Sequence, residues 1–180
     1  MKDNFADGSI RKRLLDAGLR ELLAHGPADF SLRRVAAAAN VSCAAPYRHF
    51  KDKDELIHAV IAEIREDWVL LTAEIGRVYQ RGSDTHVTQL LIAGVRFWIA
   101  GNNFAPFLAS AELAEFDTPI VEAIDALASA RGCADGGKAL TASLLSLMYG
   151  TVTLVISGRL DGDFALKNMR EEIAKRLEEF

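Results

Sequence analysis

Apolar residues recur along this chain at spacings of three and four, with no run of alternating polarity long enough for a strand. The pattern therefore predicts an all-α protein. Ile10, Leu14, Leu15, Leu19, Leu22 and Leu23 make a broad stripe on a first helix that Ser9 can cap and that Gly26-Pro27 ends near His25. A second helix follows Ser31, with Leu32, Val35, Ala36 and Ala39 on one face. Asn40 stands where that helix must stop, and asparagine tolerates the left-handed backbone of such a stop. Ser42 then caps a short helix from Cys43 to about His49, whose Pro46 is admissible only in the first turn.

The next pattern is the longest. Ile57, Ile61, Ile64, Trp68, Leu71, Ile75 and Val78 predict a helix over Lys53–Arg81, capped by Asp52 with Glu55 as its reciprocal partner. Such a helix would be about 40 Å long, longer than the first domain needs. Further helices are predicted over Thr85–Ala100, from Asn103 with Phe104 and Phe107, and over Thr118–Arg131 with Thr118 as cap. Two more follow over Gly137–Ser157 and from Asp163 to the end. Ala139–Gly158 carries no charge and is long enough to test as a membrane span. Its six serines and threonines instead favour a helix covered on two sides, and no membrane partner is expected. On the last helix, Leu166, Met169, Ile173 and Leu177 form the inner face, with Glu171–Lys175 and Glu172–Arg176 outside.

Two short helices joined by a tight turn make a helix-turn-helix, in which the second helix enters the DNA major groove. The residues suit that task. Cys43, Ala44 and Ala45 are small enough to approach base edges, and Arg48 can read them. Ser42, Tyr47, His49 and Lys53 can hold phosphates, with Arg33 and Arg34 assisting. The alternative by spacing alone is an ordinary helical hairpin.

Phe30 to Leu56, FSLRRVAAAANVSCAAPYRHFKDKDEL, resembles the DNA-binding signature of tetracycline-repressor-like (TetR family) regulators. The shared residues are Ser31, Val35-Ala36, Val41-Ser42, Tyr47, His49-Phe50 and Lys53. Asn40 replaces the usual glycine, and Ala45-Pro46 replaces the commoner Thr-Leu. The resulting Ala-Ala-Pro-Tyr-Arg-His-Phe is a sub-pattern that bears on operator choice. The resemblance implies a helix-turn-helix DNA-binding domain over residues 1–55 and a helical regulatory and dimerisation domain over 56–180. It also implies a homodimer through the helices at 137–157 and 163–179, reading a palindromic double-stranded operator, and a pocket for a small molecule of unknown identity. The aromatic-rich middle supplies candidates for that pocket: Trp68, Trp98, Phe104, Phe107, Met148 and Tyr149. Taken singly each is better explained as core, and only together do they exceed what the small helices need.

Charge agrees with a protein that touches phosphate at one end. The 180 residues carry a net charge of -4, yet residues 1–60 hold ten Lys and Arg against eight Asp and Glu. The remainder holds eleven against seventeen. Arg11-Lys12-Arg13 opposes the dipole of its own helix, so it serves either phosphate or solvent. No signal peptide opens the chain, which predicts a cytoplasmic protein. An enzyme is not expected. The four histidines lack metal-ligand spacing, no glycine-rich phosphate loop is present, and no cofactor is implied. Two other readings remain open: a helical adaptor without DNA affinity, and a regulator that senses oxidants through Cys43.

Overall fold

The computed structural model describes residues 3–100, 115–133 and 135–180, with side chains described from Ser9 onward. Eight α-helices and no strand occur among them: α1 (Asp3–His25), α2 (Leu32–Ala38), α3 (Pro46–His49), α4 (Lys53–Val78), α5 (Asp84–Ala100), α6 (Thr118–Arg131), α7 (Lys138–Ile156) and α8 (Gly162–Glu179). The all-α class is as expected. The short helix expected from Asn103, and with it Phe104 and Phe107, lies outside the described residues. Contacts divide the chain into two compact units, Met1–Asp67 and Trp68–Phe180, and the boundary falls inside α4.

In the first unit, α1 packs against α2 and α3. It buries Leu14, Leu15, Ala17 and Leu22, while Val35 and Ala36 of α2 and Phe50, Leu56 and Val60 complete the core. Gly18 admits the close approach of α4: a Cβ there would stand 3.1 Å from Val60 Cγ2. Helix α1 starts six residues before the expected cap at Ser9. A single interior glycine, Gly8, costs about 1 kcal/mol of helix propensity, too little to stop it.

Helix α4 begins as the pattern predicts. Asp52 Oδ1 accepts from the Glu55 amide at 2.9 Å, and Glu55 Oε2 accepts from the Lys51 amide at 2.5 Å. Its end differs, at Val78 instead of Arg81. Ile57, Ile61, Ile64 and Trp68 are buried as expected, but the buried file then passes to Thr72, leaving Leu71 and Val78 exposed. Thr72 suits that place because its hydroxyl donates back to the Trp68 carbonyl, 3.0 Å away.

In the second unit, α5 packs against α6, α7 and α8, and α7 also packs against α8. Surrounded in this way, α5 buries residues nearly all along its length, from His86 to Trp98. Arg131 ties three helix ends together: its guanidinium donates to Asp84 Oδ1 and to the Leu177 carbonyl, each at 2.6 Å. Two caps differ from expectation. Asp117, not Thr118, is the N-cap of α6, with Thr118 and Pro119 inside its first turn. Asp161, not Asp163, caps α8, accepting from the Phe164 amide at 2.9 Å. Asp161 is extended and can reach forward, whereas Asp163 already lies in the first turn.

The entry to α7 is held by Asp135, whose carboxylate accepts from the Gly137 and Ala139 amides at 2.9 and 3.0 Å. These bonds hold its carboxyl below the usual aspartate value. Gly137 has φ +81°, and a Cβ there would stand 2.7 Å from Ala128 Cβ on α6. Helix α7 is long and apolar enough to cross a membrane by length and composition, with mean hydropathy 1.8. Only 28% of that stretch is buried within the chain, namely the face with Leu140, Leu144, Met148 and Val152. On α8 the inner face is Ala165, Met169, Ile173 and Leu177, so Ala165 takes the place expected for Leu166. Outside, Glu172 pairs with both Lys175 and Arg176, at 2.8 and 3.1 Å.

Candidate nucleic-acid interface

The interface is built from the stop of α2. Ser31 caps that helix, its hydroxyl accepting from the Arg34 amide at 3.4 Å. At the far end Asn40 has φ +52°. The Asn40 amide donates to the Ala37 carbonyl at 3.1 Å, and the Val41 amide reaches back to the Ala36 carbonyl at 3.0 Å. This paired pattern is a Schellman stop, with asparagine in the place glycine usually takes. It reverses the chain within two residues.

The winding resumes at once, but not as the regular helix expected from Cys43. The Ala45 amide donates to the Ser42 carbonyl at 2.9 Å, closing a turn, and α3 proper starts at Pro46 with Ala45 as its N-cap. Proline is the reason. It has no amide hydrogen to return to the Ser42 carbonyl, so the first intrahelical bond must wait. The reading element is therefore a turn over Ser42–Ala45 followed by one turn of helix.

This arrangement sorts the expected site residues. Ser42, Cys43, Ala44, Tyr47 and Arg48 are exposed, with Tyr47 at 63%. Ala45 and Pro46 are buried and face the domain core. His49 is half-buried beside Phe50, with ring centroids 6.4 Å apart. Arg33, Tyr47, Lys51 and Lys53 line one groove of about 440 Å³ between the start of α2 and the start of α4. Lys51 is the addition to the expected set. Its signal in the sequence is a positive charge two residues before the start of α4, with Asp52 between them also lining the groove.

Arg34 is placed otherwise. Its Nε donates to Glu21 Oε1 at 2.7 Å, and a terminal nitrogen donates to the Asp29 carbonyl. The hydrogen bond to Glu21 raises the guanidinium further above its ordinary value. Glu21 is almost fully buried and also accepts from the Ser31 amide at 3.1 Å. Arg34 thus anchors α2 to α1. Of the basic triplet, Arg11 lies 5.3 Å from the centroid of the Phe50 ring and Lys12 is 3.8 Å from Asp16.

These features describe a stopped helix, a reversed chain and a cationic groove. Residues 14–60 match the tetR family of bacterial regulatory proteins. That stretch is similar to a TetR-type DNA-binding domain. Likeness to solved structures covers nearly the whole chain. A TetR-family transcriptional regulator from Streptomyces coelicolor superposes with TM-score 0.77 at 20% identity, covering 96% of each chain. A TetR transcription regulator from Haloarcula marismortui gives 0.69 at 19%, covering 96% of this chain and 98% of that one. The transcriptional regulator FadR from Bacillus subtilis, in complex with stearoyl-CoA, gives 0.70 at 12%, covering 92% and 96%. At these identities the likeness establishes the fold, which is TetR-like: an N-terminal DNA-binding domain followed by a helical domain. No curated protein matches the chain.

Three of the described ligand candidates are core. Trp68, Trp98 and Met148 are at most 2% exposed. The Trp68 indole donates to the Phe116 carbonyl at 2.9 Å, and Phe97 lies between the two tryptophans at centroid distances of 5.1 and 5.8 Å. Gly94 lets this cluster close, since a Cβ there would stand 2.8 Å from Met148 Sδ. Tyr149 is half-buried and donates its hydroxyl to Asp117 Oδ1. Burial raises the carboxyl of Asp117, and burial with this hydrogen bond raises the Tyr149 phenol. Among the described residues no group of three His, Cys, Asp or Glu is placed to hold a metal ion.

Proposed function

We propose that this chain is a ligand-responsive transcriptional regulator, acting as a repressor that leaves its operator when a small molecule binds the second unit. The observation that carries the reading is the exposed surface of Ser42, Cys43, Ala44, Tyr47 and Arg48 beside the groove of Arg33, Lys51 and Lys53. Arg48 reads base edges, with Cys43 and Ala44 allowing close approach. Ser42, Tyr47, His49 and the groove cations hold phosphates. The Ala-Ala-Pro-Tyr-Arg-His-Phe run sets operator preference through the turn that Pro46 imposes. The chain works in the cytoplasm as a homodimer through α7 and α8, on a palindromic duplex with half-sites about 34 Å apart. The largely uncovered apolar surface of α7 supports that pairing.

The test is duplex binding across a salt series. Phosphate neutralisation imposes a steep negative slope of log affinity on log salt. Tyr47→Ala with Arg48→Ala is expected to weaken the best duplex by about ten-fold or more, in line with one lost base contact of about 1–3 kcal/mol. A flat salt dependence, or undiminished affinity in the folded double variant, refutes the reading.

A further inference from the structure

Arg11, Lys12 and Arg13 are adjacent and all exposed, and their sequence leaves them between phosphate and solvent. The structure separates them. Helix α1 starts at Asp3, so the triplet lies in its third turn, beyond the reach of the helix dipole. Lys12 pairs within its own helix, 3.8 Å from Asp16. Arg11 instead crosses to another element. Its guanidinium carbon stands over the Phe50 ring, 5.3 Å from the centroid.

Phe50 marks a particular place. It is buried and is the C-cap of α3, between His49 and Lys51. Arg11 therefore adds a cation to the end of the reading helix, whose last turn already holds Arg48 and His49. The acids nearest in sequence are engaged elsewhere: Asp52 accepts from the Glu55 amide and Glu55 from the Lys51 amide, at the start of α4. Among the described residues no carboxylate pairs with Arg11. Like charges gathered without a counter-charge repel one another and attract an anion brought to them. The ring contact does not satisfy the guanidinium either. Arginine carries five N–H donors in a planar fork, and contact of its central carbon with a ring occupies none of them.

An arginine held against the reading helix, with its donors unspent and no acid beside it, calls for an oxyanion. We infer that Arg11 contacts a backbone phosphate of the duplex beside the groove that α3 enters, with the Phe50 ring holding the guanidinium and leaving its N–H groups to the phosphate. The inference rests on the reading of the first unit as a DNA-binding domain, and it adds α1 to the elements that touch the duplex. The ring matters because a long side chain already held in place gives up less freedom on binding. The contact carries no base information, since phosphates fix register and orientation but not sequence.

The experiment is a salt series on the full chain, with the best duplex selected from a random pool and a scrambled duplex of the same length. The wild type is expected to show a steep negative slope of log affinity on log salt. Arg11→Met keeps an apolar stem over Phe50 and removes the charge. Its slope is expected to be shallower by about 1 for each subunit bound, and its loss of affinity to be equal on the two duplexes. Arg11→Lys is expected to restore most of the slope. Arg13→Met, at an exposed position on the same helix, is expected to keep the wild-type slope. A side chain that only covered Phe50 would be replaced by methionine without loss. An unchanged slope in Arg11→Met, an equal change in Arg13→Met, or a loss confined to the selected duplex overturns the contact. A flat slope in the wild type removes the DNA-binding reading itself, whereas a steep wild-type slope that Arg11→Met does not alter removes this inference alone.

Discussion

Glu21 is a buried carboxylate that accepts from the Ser31 amide and from Arg34, so one side chain fixes where α2 begins relative to α1. Glu21→Ala leaves the Ser31 amide without that partner and is expected to cost about 1–3 kcal/mol, read as a fall in the urea midpoint. An unchanged midpoint would show that the bond contributes nothing. The same pair explains a limit of pattern reading. Arg33 and Arg34 are adjacent and chemically alike in the sequence, yet only Arg33 lines the groove, because the partner that claims Arg34 lies thirteen positions away. At Asp117 the argument runs through pH. Burial raises its carboxyl above the ordinary 3.8. The folded state therefore gains most while the group is protonated, and that gain fades as pH rises through the folded value. Asp117→Asn keeps an acceptor for Tyr149 without the charge. Thermal melts are expected to show less loss of stability for this variant than for the wild type between about pH 4 and about pH 7. Parallel curves would contradict the assignment.

The stop of α2 is legible at the level of the element, because a single residue tolerant of positive φ between an apolar run and a serine has few other uses. Asn40→Gly is expected to be neutral or slightly stabilising, and Asn40→Val to cost about 1–2 kcal/mol, since a branched side chain clashes in the left-handed region. Equal stability of the two variants by chemical denaturation would remove the turn from the account. Caps were less legible. Ser31 and Asp52 act as the sequence suggests, but Asp161 and Asp163 are equivalent on paper, and only the extended backbone at Asp161 selects between them. The start of α3 was misplaced for a covalent reason. Pro46 can begin a helix but cannot supply the bond that would extend it back to Cys43. Burial of Ala45 was equally hidden, because alanine fits a groove and a core alike.

At the scale of the molecule, the apolar stripes foretold the class and the order of helices, and the uncharged run from Ala139 foretold a surface of α7 that one copy leaves largely open. The candidate ligand set was less legible. Aromatic residues at helical spacing fit a ligand wall and a closed core alike, and Trp68, Trp98 and Phe116 are closed core. Leu154 on α7 is 40% exposed. Leu154→Glu is expected to convert the proposed dimer to monomer at micromolar concentration in sedimentation, and with it to abolish tight operator binding. A dimer that persists would place the pairing surface elsewhere.

The reading element is only a turn and four helical residues, and a helix so short cannot hold its own shape in water. Its form is lent by Ala45, Pro46 and Phe50, which face inward, while the side chains of Ser42, Cys43, Ala44, Tyr47 and Arg48 are exposed. Substitution on the outer set leaves the scaffold untouched. A lineage carrying this chain can thus drift to new target sites one outward residue at a time, at no expense to folding, and duplicated copies can part company in what they regulate long before they differ in architecture.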